Sequence, residues 1–409
     1  MRHSSDRLEN HRKRDTHFHD LWRNFFMGVI EGGYNSVAIL VAIRHFQASE
    51  TAKSLIAGGS AVGFLLAPTI LILVGRTSVV VSKICAILMI GTAAGLFLAA
   101  NIEHVWVYTF SLVSTGILVA QVPSLMVHVY ARNYSEGERG RQISGNLMIS
   151  AGIGACTSLF VGQLLDQNLL LYQKVLTGMA TACLFAAWLH LRIPSEPLRS
   201  KRQASLFQDL KFAFVDRFFG WMLAGWMLMG VGNLITIPLR IEYLANPDFG
   251  INASNTTILV LTFILPAITR VLSAPIWAFC FDRFNLAIVR ISINLCFLIG
   301  LFAYFQSTNI IWLGLSSALI GWATGGGTLA WTLWVTKVAP PGRESSYMSV
   351  HSFFTGIRGV PAPFVGYWIL TSLGPKQVAW VSALFIGISS LMFLRLASDS
   401  RLKSPSSSR

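Results

Sequence analysis

Three ionisable side chains lie deep inside long apolar stretches of this sequence: Glu31, Arg270 and Arg358. A carboxylate in a partly dry environment can take up a proton near neutral pH, because burial disfavours its charged form. A guanidinium presents a planar fork of donors that suits a carboxylate or a phosphate group. The sequence therefore predicts proton coupling at Glu31 and favours anion recognition by the arginines. The alternative is a structural ion pair between Glu31 and Arg358 or Arg270.

The composition indicates that these residues belong to a polytopic membrane protein. Of the 409 residues, 53% are hydrophobic and only 12% are charged, whereas soluble globular domains carry about 25% charged residues. A disordered, collagen-like or disulfide-rich secreted protein is excluded, and a soluble enzyme would lack a polar shell. The excess of 32 Lys and Arg over 18 Asp and Glu is concentrated in tails and alternate loops, which indicates topology rather than nucleic-acid binding.

A helix that crosses the lipid bilayer needs about 20 mostly apolar residues, and the sequence contains twelve runs of this kind. Their predicted limits are 22–43, 55–75, 80–100, 104–130, 142–165, 172–193, 217–239, 256–281, 287–306, 309–337, 346–372 and 377–397. With a rise of ~1.5 Å per residue, Glu31, Arg270 and Arg358 would lie roughly 13, 18 and 16 Å from the inner surface. All three are therefore expected near the midplane of a core about 30 Å thick.

The distribution of basic residues predicts that both termini are cytoplasmic. Most Lys and Arg residues fall in the tails and in alternate loops on the same side as the tails, as the positive-inside rule requires. The exceptions on the opposite side are Arg44, Lys53, Lys174, Arg240 and Lys376. No cleavable signal peptide is expected, because the first twenty residues are polar and basic.

The longest inward segment divides the spans into two groups of six. The predicted organisation is a cytoplasmic tail, a six-helix bundle, a cytoplasmic linker, a second six-helix bundle and a second tail, at 1–20, 21–193, 194–216, 217–397 and 398–409. Apolar residues recur at intervals of four at the end of the linker, at Leu206, Leu210, Phe214 and Phe218. This stripe predicts either an interfacial helix or an extended lead-in to span seven.

The two halves also share a weak internal repeat. In one register near half the chain length, Arg139 aligns with Arg343, and in a second register Arg76 aligns with Arg283. Two ungapped registers near half the length favour a duplicated bundle.

The segment Ala278–Arg283 resembles the G-x-x-x-D-R loop of the major facilitator superfamily, with Ala278 in place of the glycine. The copy in the first half keeps Arg76 and lacks the aspartate. Span five, at Gly152-Ile153-Gly154, lacks the proline of the drug-antiporter motif, and no sugar-porter motif follows span six or span twelve. The resemblance covers residues 20–397 and identifies no subfamily.

This resemblance implies an all-α integral membrane fold, with twelve transmembrane helices in two pseudo-symmetric six-helix bundles. It also implies alternating access, in which the bundles rock about a central site that opens to one side and then to the other. Arg76, Asp282 and Arg283 would form gating loops that latch the cytoplasmic face. An ordinary basic loop is the alternative interpretation of this segment.

The resemblance further implies that spans one, four, seven and ten line the central cavity. Candidate substrate-binding residues on these spans, added to Arg270 and Arg358, are Tyr34, Asn35, Gln121, Asn233 and Trp331. Buried amides in apolar spans usually bond across helices for stability, so each of these residues also has a structural interpretation.

No pattern in the sequence predicts an enzyme, a cofactor or a metal site. The five cysteines all lie in apolar runs and are interpreted as small hydrophobic residues. No histidine pair has metal-ligand spacing, and no catalytic triad or HExxH motif is present. A membrane-embedded enzyme is therefore not expected.

Together these observations predict a monomeric secondary active transporter in the cytoplasmic (inner) membrane, which moves a small organic solute with protons. Two intramembrane arginines against one carboxylate favour an anionic substrate. One alternative is proton-coupled efflux of amphiphilic or drug-like compounds, suggested by the many Trp and Phe residues. Another is a non-transporting membrane sensor with the same fold.

Overall fold

The computed structural model describes residues 2–32, 34–198, 209–340 and 343–402. The chain forms two compact units, Met1–Gln203 and Ala204–Arg409, and each is described by itself. Within the described residues the structure is helical and contains no β-strand, apart from an isolated bridge between Val80 and Pro197. The predicted all-α fold is confirmed.

The first unit contains eight α-helices in its described residues. They are α1 Arg2–Glu31, α2 Tyr34–Arg44, α3 Glu50–Gly75, α4 Val81–Asn101, α5 Val105–Val119, α6 Val122–Asn133, α7 Glu136–Gln167 and α8 Tyr172–Arg192. A single 3-10 turn, Leu169–Leu171, precedes α8. Helix α1 packs along α7 and α8, and α4 packs along α5 and α8.

The second unit contains ten α-helices in its described residues. They are α9 Phe212–Val215, α10 Arg217–Leu234, α11 Ile237–Ala245, α12 Asn255–Leu259, α13 Leu265–Arg283, α14 Leu286–Tyr304, α15 Ile310–Val338, α16 Glu344–Gly359, α17 Ala362–Leu373 and α18 Pro375–Leu396. A π-turn, Val260–Ile264, joins α12 to α13. Two 3-10 turns lie at Pro247–Phe249 and Ser400–Leu402.

Eleven helical segments of the described chain are long and apolar enough to cross a membrane. They correspond to eleven of the twelve predicted spans. The other predicted span, 346–372, is formed by α16 and α17. This segment is less apolar because Arg358 lies inside it and because proline and glycine residues surround the break between the two helices.

Large apolar side chains cover the outside of both units. Phe160, Ile311 and Trp368 are largely exposed, as are many others of their kind. A water-soluble surface rarely carries so much apolar area, and lipid is the solvent that suits it.

The first helix begins earlier than the sequence predicted. Helix α1 starts at Arg2, and the segment that is long and apolar enough to cross a membrane is His11–Arg44, which joins most of α1 to α2, rather than 22–43. Thr16 and Asp20 are fully buried, so the predicted tail 1–20 continues into a helix that packs within its unit. Hydropathy missed this segment because the polar residues on it are paired rather than solvated.

Span seven ends later than the predicted residue 239. The segment Arg217–Ala245 forms α10 and α11, and its end contains Arg240 and Glu242. The break between the two helices precedes Pro238, since proline removes a backbone donor and restricts the residue before it.

The predicted linker 194–216 is described only in part, and Leu206 lies outside the described residues. Leu210 precedes α9, a helix of four residues on which Phe214 is exposed. The Asp216 carboxylate then accepts a hydrogen bond of 3.1 Å from the backbone N–H of Phe219, which caps α10.

Candidate functional site

Glu31 is the last residue of α1, and its side chain is exposed. Its Oε2 accepts a hydrogen bond of 3.0 Å from the Oγ of Ser150, a buried residue of α7. The carboxylate is thus oriented by one donor and remains accessible on its other side. This arrangement suits a group that gains and loses a proton.

Close contact between α1 and α7 holds Glu31 beside Ser150. A Cβ atom added at Gly28 would lie 2.6 Å from the backbone oxygen of Ser150, so only glycine fits there. At Gly32, four residues after Gly28, the backbone carbonyl accepts a hydrogen bond from the hydroxyl of Ser158 in α7. Small residues permit this approach of two backbones, as is usual between membrane helices.

The other polar candidates of the first unit make structural hydrogen bonds. The Tyr34 hydroxyl donates to the carbonyl of Leu112 at 2.6 Å, and the Gln121 amide donates to the carbonyl of Gly63 at 2.8 Å. Both residues are buried. The side chain of Asn35 lies outside the described part of the structure.

A buried ion pair in α1 was missed by the sequence analysis. Arg23 Nε donates to Asp20 Oδ1 at 2.8 Å, and Tyr130 and Asn146 also donate to this carboxylate. The two charged residues are three positions apart, which places them on one helix face. That spacing is the signal that could have revealed the pair, although Asp20 was assigned to the tail.

A second buried carboxylate, Glu242, was missed because the predicted span seven ended before it. Glu242 is buried in α11, where the Tyr367 hydroxyl lies 3.4 Å from Oε2 and the Asn246 amide 3.2 Å from Oε1. The expectation that Glu31, Arg270 and Arg358 are the charged residues inside spans is therefore wrong. Asp20, Arg23, Arg240 and Glu242 also lie within membrane-span segments.

Arg358 lies on α16 and contacts α10. Its guanidinium donates to the backbone carbonyl of Trp226, and it occupies the space beside Gly230 that a side chain there would need. The Nε of Arg358 is buried and has no hydrogen-bond partner within the described residues.

Arg290 of α14 is almost completely buried, with 1% of its surface exposed. Its guanidinium lies 3.8 Å from the centroid of the Trp226 ring, a cation–π geometry. Its Nε and Nη2 have no hydrogen-bond partner among the described residues. The burial of Arg290 was not predicted from the sequence.

His351 is fully buried next to these arginines. Its ring centroid lies 5.5 Å from that of Trp226, 5.2 Å from that of Trp331 and 5.3 Å from that of Trp334. Both arginines are close enough for their positive charges to act on His351. We call these six residues the Arg290–Arg358 cluster: Trp226, Arg290, Trp331, Trp334, His351 and Arg358.

The cluster carries positive charge without a matching carboxylate. The guanidiniums of Arg290 and Arg358 both lie against Trp226, and neither forms an ion pair with an Asp or Glu of the described chain. Of the sequence-predicted candidates, the structure thus brings Arg358 and Trp331 into one neighbourhood.

Two further candidates of the second unit lie elsewhere on its helices. Arg270 of α13 is half-buried, and its side chain makes no hydrogen bond or ion pair within the described chain. Asn233, at the end of α10, is also half-buried, and its backbone carbonyl accepts a hydrogen bond of 2.6 Å from the Thr236 hydroxyl.

The predicted gating residues are exposed at helix ends. The backbone N–H of Arg76 closes the last turn of α3. Asp282 and Arg283 form the end of α13 rather than a loop, and the Arg283 guanidinium lies 4.6 Å from the centroid of Phe279. Since the helix continues through both residues, the loop assignment of this pair is corrected.

No group of three or more His, Cys, Asp or Glu side chains that could hold a metal ion occurs in the described residues.

Comparisons with known proteins identify the fold. The family profile described as Major Facilitator Superfamily matches residues 237–409. A mutant form of the nucleoside transporter NupG is similar in structure, with a TM-score of 0.72 and 13% identity over 94% of this chain and 98% of that chain. A D-xylose–proton symporter gives a TM-score of 0.69 and 16% identity over 96% of this chain and 98% of that one.

A bacterial homologue of the human lysosomal transporter Spinster, in an inward-facing and occupied conformation, gives a TM-score of 0.67. It is 13% identical over 94% of this chain and 97% of that chain. No curated protein sequence matches this chain. The family and these structural neighbours are transporters rather than enzymes, and the predicted fold class is confirmed.

Proposed function

We propose that the chain belongs to the Major Facilitator Superfamily, whose profile matches residues 237–409 and whose solved members it resembles in fold, and that it is a secondary active transporter. It moves a small organic solute across the cytoplasmic membrane by alternating access and couples this movement to protons through Glu31. The substrate is anionic, and the transporter works as a monomer with both termini in the cytoplasm.

The single observation that carries the coupling proposal is the setting of Glu31. Its carboxylate is exposed and accepts one hydrogen bond from Ser150, an arrangement that leaves room for a proton on the other carboxylate oxygen. Asp20 and Glu242, by contrast, are buried and hydrogen-bonded. A carboxylate that exchanges protons during transport must be accessible. Its charged form must not be strongly stabilised by several hydrogen bonds or by an ion pair.

A reconstitution experiment tests this proposal. Purified protein is first screened for thermal stabilisation by organic anions and lipophilic cations, and stabilising compounds are then tested for uptake into proteoliposomes with an imposed pH gradient. Wild-type protein should accumulate a stabilising anion. Glu31→Gln should lose accumulation driven by the gradient and keep solute exchange, because an amide cannot carry the proton.

Glu50→Gln is the matched control, because Glu50 is an exposed carboxylate of the same unit at the start of α3. This variant should transport as the wild type does. Full gradient-driven uptake by Glu31→Gln would remove Glu31 from the mechanism. Binding without flux in any condition would contradict transport and favour a sensor, and stabilisation by lipophilic cations alone would favour efflux of amphiphilic compounds.

A further inference from the structure

We propose that the Arg290–Arg358 cluster binds an oxyanion, the carboxylate or phosphate group of the transported solute. The inference rests on the proposed function and gives its substrate class. The proposed site includes Arg290 and His351, which were not among the substrate-binding residues predicted from the sequence.

The first support is the charge of the cluster. The guanidiniums of Arg290 and Arg358 both contact Trp226 in the second unit, and neither forms an ion pair with a carboxylate of the described chain. The transfer of an ion from water to a protein interior has a large free-energy cost unless a partner of opposite charge offsets it. A bound anion would supply that partner.

The second support is the number of unused donors. Within the described residues, no hydrogen-bond partner is found for the N–H groups of Arg290 Nε and Nη2 or of Arg358 Nε. Both ring nitrogens of His351 also lack a partner, and one of them carries a hydrogen in the neutral ring. The indole nitrogens of Trp226 and Trp334 are also buried without a partner. Buried polar groups in native proteins are nearly always paired, and an oxyanion accepts several N–H donors at once.

The third support is that Trp226 fixes both arginines. Its ring lies 3.8 Å below the guanidinium of Arg290, and its backbone carbonyl accepts a hydrogen bond from Arg358. The two planar forks are therefore held before a ligand arrives, which lowers the entropy cost of binding. Bidentate contacts from such forks favour a carboxylate or phosphate over a spherical halide ion.

The members of the cluster differ in exposure. Arg358 and Trp331 are half-buried, whereas Arg290, His351 and Trp334 are buried. A small solute would therefore meet Arg358 before Arg290. Because the unused donors are buried inside the unit, a small soluble anion fits better than the head group of a lipid.

The test measures thermal unfolding of the full-length protein in detergent. Sodium phosphate and sodium succinate are the oxyanion probes, sodium chloride at equal ionic strength is the reference, and phosphatidylglycerol in mixed micelles is the lipid probe. At least one oxyanion should raise the wild-type Tm in a saturable way beyond chloride, because a ligand that binds only the native state stabilises it.

Arg290→Gln and Arg358→Gln should each weaken the apparent affinity for that oxyanion by about tenfold or more. Arg395→Gln, which removes an exposed arginine of the same unit, is the matched control and should behave as the wild type. In chloride alone, Arg290→Gln should unfold at or above the wild-type Tm, because the substitution removes a repelling buried cation. Arg290→Lys keeps the charge and serves as a second variant, expected to lose the preference for oxyanions over chloride.

Several results would overturn the inference. Equal stabilisation by chloride would contradict an oxyanion site, and stabilisation by phosphatidylglycerol alone would identify a lipid instead. If no oxyanion stabilises the wild type, the inference is wrong. If Arg290→Gln and Arg290→Lys are then both less stable than the wild type in chloride, the arginine is structural. Oxyanion binding without flux into proteoliposomes would leave this site intact and overturn the transport proposal, so the two failures are distinguishable.

Discussion

The guanidinium of Arg358 lies where any side chain at position 230 would have to be placed. Gly230→Ala should therefore push Arg358 away from the Trp226 carbonyl. Overpacking of this kind costs about 1–3 kcal/mol, so we expect a loss of that size in the free energy of unfolding, measured by denaturant titration in detergent micelles.

Two further variants define the cause of this loss. Gly387→Ala is the control, because a Cβ atom at that glycine of the same unit meets no atom within 4 Å, and it should not destabilise the protein. In an Arg358→Ser background Gly230→Ala should become nearly neutral. An equal loss in both backgrounds would show that Arg358 is not the group displaced.

The buried pair of Asp20 and Arg23 gives a second residue-scale prediction. Removing one partner of a buried ion pair costs about 3–5 kcal/mol, because the other charge stays buried and unpaired. Asp20→Leu should therefore strongly lower the unfolding free energy, and Asp20→Leu combined with Arg23→Leu should recover part of the loss. A double variant less stable than Asp20→Leu would contradict this account.

At the scale of elements, the early part of α1 is tied to the segment that follows α8. Arg12 Nη1 donates to Glu196 Oε1 at 2.9 Å, and Arg12 Nε donates to Asn133 at 2.7 Å. The hydrogen bond from Arg12 lowers the pKa of the Glu196 carboxyl below its usual value. These contacts extend the packing of α1 beyond the apolar part of the helix.

This lowered pKa predicts a pH dependence with a defined sign. A carboxyl whose pKa is lower in the folded state binds fewer protons there than in the unfolded state, so its contribution to stability is present above its unfolded pKa, about 4.3. The contribution is lost as the pH falls through the folded pKa. Glu196→Gln should thus lower the Tm slightly at neutral pH and match the wild type in acid. A Tm difference that grows on acidification would refute this assignment.

Helix positions could be predicted from apolar runs, because the length of each run reflects the thickness of the lipid core. Helix ends could not be predicted equally well, because helices continue where polar residues pair inside the protein. Asp20 and Glu242 show this: their partners Tyr130 and Tyr367 are distant in sequence. Arg358 could be found from its depth alone, and His351 lies on the same face of α16 two turns earlier, whereas the proximity of Arg358 to Arg290 depends on how α10, α14 and α16 pack.

At the scale of the whole molecule, one predicted membrane-spanning segment combines an apolar exterior with a charged residue. Helices α16 and α17 contain Arg358 in the part of the chain predicted to lie near the membrane midplane. An arginine at the centre of a spanning helix costs about 2.5–3.5 kcal/mol on insertion scales. The hydrogen bond from Arg358 to the backbone carbonyl of Trp226 in α10 offsets part of this cost after folding.

The last prediction concerns the path of the chain through the membrane. If α16 and α17 together cross the bilayer, reporters fused after Val338, Leu373 and Leu396 should report cytoplasm, exterior and cytoplasm in turn. Green fluorescent protein fluoresces only when it folds in the bacterial cytoplasm, and alkaline phosphatase is active only outside it, so the two reporters give opposite signals at each position. Fusions after Gln167 and Arg192, which flank a clearly apolar span, serve as controls. The same side for Val338 and Leu373 would mean that this segment does not cross, and the C-terminus would then lie outside, against the distribution of Lys and Arg.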